Sequence, residues 1–160
     1  MIFVTLGSQK FQFNRLLIAV DNLVADGTIS EDVFAQTGYS DYQPIHYQYK
    51  QFLDREEFAS ITEQSDIIIT HGGTGAIIGA VKKGKKVIAV PRREEYGEHV
   101  DDHQLQLVGQ FRELNLICEC DDCNQLGTVL AEIKNKNFSK YESNTKNIIQ
   151  KIDQFIQTGR

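Results

Sequence analysis

Short apolar runs alternate along this chain with longer segments in which apolar residues recur at helical spacing. The short runs predict six strands, at Ile2–Leu6, Val33–Gln36, His46–Tyr49, Asp66–Thr70, Lys86–Val90 and Leu116–Glu119. Apolar residues three and four positions apart between Phe13 and Val24 predict the first helix. Further helices are predicted at 54–65, from the glycine-rich stretch to Lys83, at 102–114 and at 148–156.

The alternation of strand and helix predicts the fold class. Such a pattern forms a parallel sheet through right-handed crossovers, so we expect one Rossmann-like, three-layer α/β domain over residues 1–160. Ligands of these sheets bind outside the carboxyl ends of the strands. Three segments with ligand-binding chemistry follow predicted strands: Gly7–Gln9, His71–Gly75 and the residues after Pro91. We expect them to meet at one edge of the sheet.

Composition and charge narrow the class of protein. The chain has 160 residues, 41% of them hydrophobic, and a formal net charge of −5, as in an ordinary soluble domain. This charge gives no overall cationic field to attract nucleic acid or anionic lipid, although four lysines cluster between 82 and 86. The N-terminal residues have no signal-peptide pattern, and no window is apolar enough to span a membrane. We therefore expect a cytoplasmic protein.

The three cysteines lie together in the sequence CECDDC, at Cys118, Cys120 and Cys123. An odd number of cysteines without a signal peptide favours reduced thiols. The spacing is compatible with a zinc site, but the nearby sequence offers no obvious fourth ligand. The other interpretation is a strand that ends in an acidic loop, and we predict no metal.

The glycine-rich stretch HGGTGAIIG follows the fourth predicted strand. Backbone N–H groups at a helix N-terminus are unpaired and the helix dipole favours an anion there. Glycines allow a diphosphate to approach the backbone, Thr74 adds a hydroxyl donor, and His71 stands at the strand end. These features predict phosphate binding by Gly72, Gly73, Thr74 and Gly75. The alternative is a strand-to-helix turn in which the glycines serve packing alone.

A nicotinamide cofactor is a second interpretation of the same glycines. Gly73, Gly75 and Gly79 form G-x-G-x-x-x-G, and Arg92 and Arg93 follow the next strand, where an NADP site would hold its 2′-phosphate. Against this interpretation, the motif follows the fourth strand rather than the first, and little chain remains for a hydride-transfer site. We therefore do not favour a nicotinamide cofactor, and we expect no cofactor.

The sequence DDHQ, residues 101–104, begins the fourth predicted helix. An acidic residue and a glutamine that point from a helix N-terminus into a cleft can bind adjacent sugar hydroxyls, so Asp102, His103 and Gln104 are candidates for a sugar site. The alternative is that Asp101 or Asp102 caps the helix while His103 and Gln104 are solvated.

The order of these motifs resembles a known family. GSQ after the first strand, QTG after the second, HGGTG after the fourth, then VP and DDHQ are similar to the nucleotide-sugar-binding, C-terminal half of GT-B glycosyltransferases of family 28. The resemblance covers nearly the whole chain. It is strongest to split members: bacterial exopolysaccharide and capsule transferase subunits of the PssE type, and the catalytic subunit of the dolichol-linked UDP-N-acetylglucosamine transferase.

The resemblance implies a function and a set of site residues. It implies an inverting hexosyltransferase subunit that binds a UDP-sugar, with the diphosphate on residues 72–75 and the sugar at residues 102–104. Gly7 and Ser8 would line the cleft floor, and Val90, Pro91 and Arg92 would flank the uracil. The family needs no metal, because the helix dipole and side-chain donors stabilise the departing UDP.

A split transferase also implies partners. A membrane-anchored subunit that resembles the acceptor-binding half would hold a lipid-linked oligosaccharide and bring this chain to the inner face of the membrane. That subunit would also supply the base, since His71, His99 and His46 are candidates here by residue type alone. The final helix, Ile148–Ile156, would pack on its own core, dock the partner, or both.

One position departs from the family pattern. The family places an acidic residue, which holds the ribose, about eight positions after His71, and this chain has Gly79 there. Three explanations stay open: Glu94, Glu95 or Glu98 substitutes, donor binding is weak, or catalysis is lost. The last explanation leads to the alternative function, a non-catalytic accessory subunit that keeps the fold.

Overall fold

The computed structural model describes residues 1–141, which alternate strand and helix as the apolar pattern predicts. The strands are β1 (Ile2–Thr5), β2 (Val33–Gln36), β3 (Gln48–Lys50), β4 (Ile67–His71), β5 (Lys86–Val90) and β6 (Cys118–Glu119). The helices are α1 (Asn14–Ala25), α2 (Arg55–Gln64), α3 (Thr74–Lys82), α4 (His103–Glu113) and α5 (Leu126–Ile133), with 3-10 turns at Glu94–Tyr96 and Cys123–Gln125. None of these helices is long and apolar enough to cross a membrane.

The six strands form one parallel sheet in the order β3-β2-β1-β4-β5-β6. The central strand β1 pairs with β2 on one side and with β4 on the other, so that Thr5 lies between Gln36 and Thr70. All carboxyl ends therefore point to the same edge. This confirms the predicted Rossmann-like α/β class.

Alternation along the strands divides the apolar residues between two cores. Ile2 and Val4 of β1 face a core built with α1 and α5. Phe3, between them, faces a second core built with α3 and α4. Successive residues of a strand point to opposite faces of the sheet, so helices cover both faces and produce the predicted three layers.

The predicted boundaries are within a residue or two of the observed ones, and two differences have an identifiable cause. The third strand begins at Gln48 rather than His46, because residues 44–46 turn to meet the buried carboxylate of Asp21. Helix α5 was not predicted, since its apolar residues extend over only two turns. The predicted helix Ile148–Ile156 lies outside the described residues.

The predicted start of α2 is confirmed in its geometry. The carboxylate of Asp54 accepts a hydrogen bond from the backbone N–H of Glu57 at 2.8 Å, which caps the helix. Glu57 does not complete a reciprocal capping box: its carboxylate accepts from Lys50 Nζ at 2.9 Å instead. This exposed ion pair joins α2 to the edge strand β3.

Candidate functional site

The strand order places a crevice between the ends of β1 and β4. Helix α1, which follows β1, packs on one face of the sheet, while α3, which follows β4, packs on the other. When the chain leaves two neighbouring strands towards opposite faces of the sheet, the loops that follow these strands separate. A ligand site then opens at the carboxyl edge of the sheet. The loops at this point begin with Gly7 and His71, so two predicted segments are brought together.

The imidazole of His71 fills the floor of the crevice and explains two of the glycines. A Cβ atom at Gly73 would lie 2.3 Å from Cε1 of His71, and one at Gly7 would lie 2.6 Å from its Nε2. Gly7 also has a φ of 71°, which favours glycine. These two glycines are therefore required by packing around His71, whether or not a ligand is bound.

Gly72 and Gly75 have different surroundings. A Cβ at Gly72 would lie 2.8 Å from Cβ of Gln104 and 3.0 Å from Cγ2 of Val108, so Gly72 lets α4 approach the end of β4. Gly75 has no heavy atom within 4 Å of its Cβ position and is exposed. Packing therefore explains Gly72 and Gly73, whereas Gly75 offers open access, and phosphate binding by the stretch stays a prediction.

Helix α3 presents its N-terminus to the crevice. Gly73 is the N-cap residue, and no side chain caps the helix. The first N–H groups of a helix have no partner within it, and the helix dipole makes this end favourable for an anion. Thr74 is partly exposed and Gly75 exposed, so the end of α3 is accessible to a ligand that carries phosphate.

The environment of His71 keeps its imidazole neutral. Burial, together with the charges of Arg92 and His99, lowers the pKa of His71 to about 3. The side chain is buried, and Nδ1 has no hydrogen-bond partner in the described part of the chain. A neutral imidazole of such low basicity is suited to hydrogen bonding and not to proton abstraction at neutral pH.

Arg92 ties the loop after β1 to the loop after β5. Its Nη2 donates to the carbonyl of Leu6 at 2.6 Å, and its Nη1 donates to the carbonyls of Phe11 and Glu98 at 3.1 and 3.2 Å. The side chain is 1% exposed. Val90 and Pro91 are buried as well. The predicted contact of Arg92 with uracil would therefore have to use its backbone, because the guanidinium faces inward.

A partly buried ion pair that the sequence did not reveal supports the same loops. Arg15 of α1 donates to both carboxylate oxygens of Glu98 at 3.0 Å, and Glu98 also accepts from the backbone N–H of Arg93. Arg93 in turn pairs with Asp121. Arg15 and Glu98 are 83 residues apart, so no local pattern could have indicated their contact.

This network bears on two sequence-based alternatives. An NADP site would need Arg92 or Arg93 for the 2′-phosphate, but the first is buried against carbonyls and the second is paired with Asp121. Glu98 is engaged by Arg15 and is 0% exposed, so it cannot replace a ribose-binding acid. Of the other proposed substitutes, Glu95 pairs with Arg93 and Glu94 is exposed.

The DDHQ segment makes local hydrogen bonds at the start of α4 and one buried contact, although the side chain of the N-cap residue Asp102 does not cap the helix. Asp101 accepts from the backbone N–H of His103 at 3.1 Å, and Asp102 accepts from that of Glu94 at 3.0 Å. Gln104 is 8% exposed, and its Oε1 accepts from the backbone N–H of Arg92 at 3.2 Å. The alternative of a solvated Gln104 is therefore wrong. Gln104 lies against Gly72, which joins the predicted sugar and phosphate residues.

The three other histidines lie in different places. His99 is 3.4 Å from Asp101, and His103 is 3.5 Å from the same carboxylate, both beside the crevice. His46 is held by Asp21 at 3.0 Å on the amino side of β3. His46 therefore does not belong to this edge, whereas His71 and His99 do.

Unpartnered polar atoms mark the same edge. Four buried side-chain nitrogen or oxygen atoms of residues 1–141 have no hydrogen-bond partner, and three of them belong to Gln36, His71 and Arg92. Gln36 ends β2, His71 ends β4, and Arg92 follows β5. Buried polar groups are normally satisfied by protein, water or ligand, and two of these atoms, Gln36 Oε1 and His71 Nδ1, lie at the carboxyl ends of the strands on either side of β1.

The cysteines do not contribute to this site. Burial raises the pKa of Cys120 to about 12 and that of Cys123 to about 11, so both thiols are protonated at neutral pH and are poor nucleophiles. Within residues 1–141 no three Cys, His, Asp or Glu side chains gather around a point that suits a metal ion. The segment is a strand that ends in an acidic loop.

Comparison with known proteins gives one family and several similar structures. The model of the glycosyltransferase family 28 C-terminal domain matches residues 1–158. The fold is similar to the calicheamicin glycosyltransferase CalG4 (TM-score 0.63, 17% identity), over 98% of this chain and 38% of that one. It is similar to MurG of Acinetobacter baumannii (TM-score 0.60, 15% identity), over 94% and 49% of the two chains.

The comparison with ALG13 differs in length. The solution structure of ALG13 has a TM-score of 0.56 and 19% identity, and the match covers 87% of each chain. This chain therefore spans less than half of CalG4 and MurG but nearly all of ALG13. No curated protein sequence matches this chain significantly.

Proposed function

The chain belongs to glycosyltransferase family 28 through its C-terminal domain, and on this basis we propose that it is the donor-binding subunit of a two-component glycosyltransferase. It moves a hexose, with inversion, from a UDP-sugar to a lipid-linked acceptor during exopolysaccharide or capsule synthesis. The observation that carries the proposal is the uncapped N-terminus of α3 at the crevice between β1 and β4.

The diphosphate binds at the start of α3. Its oxygens accept from the free N–H groups of the first turn, to which the open Cβ position of Gly75 gives access, and from the Thr74 hydroxyl. His71, which its lowered pKa keeps neutral, donates a hydrogen bond to the diphosphate without first having to bind a proton. As the bond to the sugar breaks, charge grows on UDP and interacts more strongly with these fixed dipoles than the ground state does. The chain's own residues thus stabilise the leaving group.

The sugar and the base lie to either side of this phosphate site. Gln104 has its Oε1 fixed by Arg92 N–H, which leaves its amide nitrogen to donate to a sugar hydroxyl, with Asp102 and His103 beside it. The uracil lies against the backbone after β5. Arg92 and the Arg15–Glu98 pair hold that backbone in place, so their role is to position the site.

A partner supplies the second wall of the cleft. In CalG4 and MurG the matched region is 38% and 49% of the chain, which leaves room for a further domain in each. We infer that here a membrane-anchored partner subunit occupies that place, binds the lipid-linked acceptor and provides the base that activates its hydroxyl. The complex works at the cytoplasmic face of the membrane.

A non-catalytic accessory subunit is the second candidate, and Gly79 favours it. Gly79 is exposed on α3 and has no heavy atom near its Cβ position. No carboxylate therefore stands where the family pattern expects the ribose to be held. Glu98 is buried in its pair with Arg15 and does not take over the contact.

Calorimetric titration separates these functions. We expect the purified chain, alone or with its partner subunit, to bind UDP and its cognate UDP-sugar, and the complex to transfer the sugar. UDP binding without transfer in the reconstituted complex would favour the accessory role. No UDP binding with or without the partner refutes the donor site, and tighter binding of NADPH than UDP would favour the nicotinamide alternative.

A further inference from the structure

A second surface, at the opposite end of the sheet, carries most of the lysines of this acidic protein. Seven of the eleven lysines lie in two short segments, 82–86 and 134–140. The first segment joins α3 to β5, and the second follows α5. The fold brings these segments together around Lys86, the first residue of β5, whereas the candidate donor site lies beyond Val90, its last residue.

The two segments enclose a cavity of about 420 Å³. Five lysines line it and no aspartate or glutamate does: Lys82, Lys85, Lys86, Lys136 and Lys140. We call this cavity the lysine pocket. Its remaining wall includes the apolar or aromatic side chains of Val81, Leu116, Phe138 and Tyr141. The pocket thus combines several positive charges with an apolar lining.

Part of this charge has a structural explanation. Lys85 Nζ donates to the carbonyl of Glu63 at the end of α2, and Lys86 Nζ donates to those of Ile133 and Lys134 at the end of α5, each at 3.0 Å. Lysines at helix C-termini compensate the helix dipole. These two residues would be expected in a protein that bound nothing at this surface.

The other lysines of the pocket are not explained in this way. Lys82, Lys136 and Lys140 are exposed. Lys82 and Lys136 lie over the rings of Tyr141 and Phe138, at 5.6 and 5.9 Å. Within residues 1–141 no lysine of the pocket forms an ion pair with a carboxylate. Like charges are therefore held close together without a direct carboxylate partner in the described part of the chain.

Tyr141 adds an observation that is independent of charge. Its hydroxyl is buried and has no hydrogen-bond partner in the described part of the chain. A buried hydroxyl without a partner costs free energy that a bound acceptor would recover. An oxyanion in the lysine pocket would be such an acceptor, and this indicates a ligand rather than a surface that is merely solvated.

The kind of cation distinguishes between anionic ligands. Arginine provides the planar, bidentate geometry that selects a particular phosphate group, whereas lysine acts as a point charge on a flexible chain. All seven cations of the two segments are lysines, although the chain has six arginines elsewhere. Lysine stems beside aromatic rings are suited to a membrane interface, where the charge reaches the headgroups and the stem stays in apolar surroundings.

We propose that the lysine pocket binds the phosphate headgroups of anionic phospholipids and gives this subunit a direct contact with the membrane surface. The contact does not depend on the donor site, since the two lie at opposite ends of β5. It does not depend on a partner either. Vesicle binding and UDP binding should therefore be independent, and failure of one proposal leaves the other standing.

Vesicle co-sedimentation tests the proposal with matched variants. The purified chain should bind phosphatidylglycerol-containing vesicles and not pure phosphatidylcholine vesicles, and high salt should release it. The triple variant Lys82→Gln, Lys136→Gln, Lys140→Gln should bind about 100-fold more weakly, since each lysine near an anionic surface contributes about fivefold or more. The control Lys50→Gln, Arg55→Gln, Arg112→Gln removes the same charge elsewhere and should bind as the wild type does.

Each other outcome overturns the proposal. Equal losses in both triple variants would show that net charge, not the pocket, governs binding. No binding to anionic vesicles would refute it directly. Binding of glycerol 3-phosphate in solution as tight as binding to vesicles would indicate a soluble phosphate ester, and stronger binding of a single-stranded oligonucleotide would indicate nucleic acid. Circular dichroism of both variants establishes that folding is retained.

Discussion

The backbone of Gly7 lies so close to the imidazole of His71 that a Cβ atom there would be 2.6 Å from Nε2. This contact joins the loop after β1 to the end of β4, the two central strands of the sheet. It holds His71 at the floor of the crevice, below the N-terminus of α3. The position of the ring therefore depends on a residue 64 places earlier in the sequence.

Substitutions of Gly7 and Gly75 should distinguish a glycine required by packing from one that leaves space for a ligand. We expect Gly7→Ala to lower the free energy of unfolding by about 2 kcal/mol or more, since it combines a left-handed backbone, which costs about 1–2 kcal/mol, with a contact to His71. Gly75→Ala, whose Cβ has open space, should leave stability nearly unchanged. Urea unfolding measures both. Equal stability of the two variants would contradict the packing described for His71.

Burial of His71 predicts a pH dependence of stability. The pKa of His71 is lowered from 6.5 to about 3 in the folded chain, so between these values the unfolded state binds the proton and the folded state does not. Stability is fully present above pH about 6.5 and falls as the pH decreases towards 3, by up to about 1.4 kcal/mol per pH unit.

The variant His71→Gln isolates this effect from the other titrating groups. Urea unfolding of both proteins at pH 7.5 and 5.5, values about one unit either side of the ordinary histidine pKa, should show a larger loss of stability for the wild type. The difference between the two should be about 1 kcal/mol. Parallel pH profiles would mean that the folded chain protonates His71 readily.

The Arg15–Glu98 pair should be worth far more than an exposed one. Removing Glu98 leaves the partly buried guanidinium of Arg15 without its charge partner, and we expect Glu98→Ala to cost about 3 kcal/mol, the lower end of the range for buried pairs. The double variant with Arg15→Ala should lose less than the sum of the single losses. Lys50 and Glu57, whose side chains are 56% and 38% exposed, provide the control, with a coupling below about 1 kcal/mol. Similar coupling in the two cycles would remove the positioning role of Glu98.

Gly79 can be tested for two properties at once. Gly79→Ala should raise the free energy of unfolding by about 0.5–1 kcal/mol, because glycine is unfavourable within a helix and the site has room for a methyl group. Gly79→Glu should tighten UDP binding about tenfold or more if the rest of the site is intact, as a carboxylate on buried hydroxyls contributes about 1–3 kcal/mol. Calorimetry measures the affinity, and Gly79→Gln controls for the added side chain. No difference between these two variants would favour the accessory role.

The sequence predicted the sheet well because each of its signals is local. Apolar runs such as Ile67–Ile69 identify buried strands, and Asp54 and Glu57 mark the start of α2 by their spacing alone. The order of the strands is not local, yet alternation and crossover handedness restrict it strongly. Helix α5 was not predicted, because the apolar spacing of eight residues is too short to distinguish a helix from a loop.

The site was predicted in its location but not in its contacts. Glycines after β4 and the residues after β5 were expected at one edge, where they lie. The imidazole of His71 points towards Gly73 and away from Gly75, so Gly73 accommodates the ring while Gly75 stays open. The sequence does not show this direction. Arg92 turns inward because its guanidinium donates to the carbonyls of Leu6 and Phe11, which are more than 80 residues away in the sequence. Residue type indicates a chemistry, and only tertiary structure shows whether the group is free to perform it.

We propose above all that the N-terminus of α3 binds the diphosphate of a nucleotide sugar. The most direct measurement is titration of the ¹⁵N-labelled chain, with its partner if needed, by UDP and by uridine, followed through backbone amide shifts. We expect UDP to shift the amide signals of Thr74, Gly75 and Ala76 most strongly. Uridine, which lacks phosphate, should leave these signals unshifted. Binding of UDP that leaves these three amides unchanged would contradict this proposal.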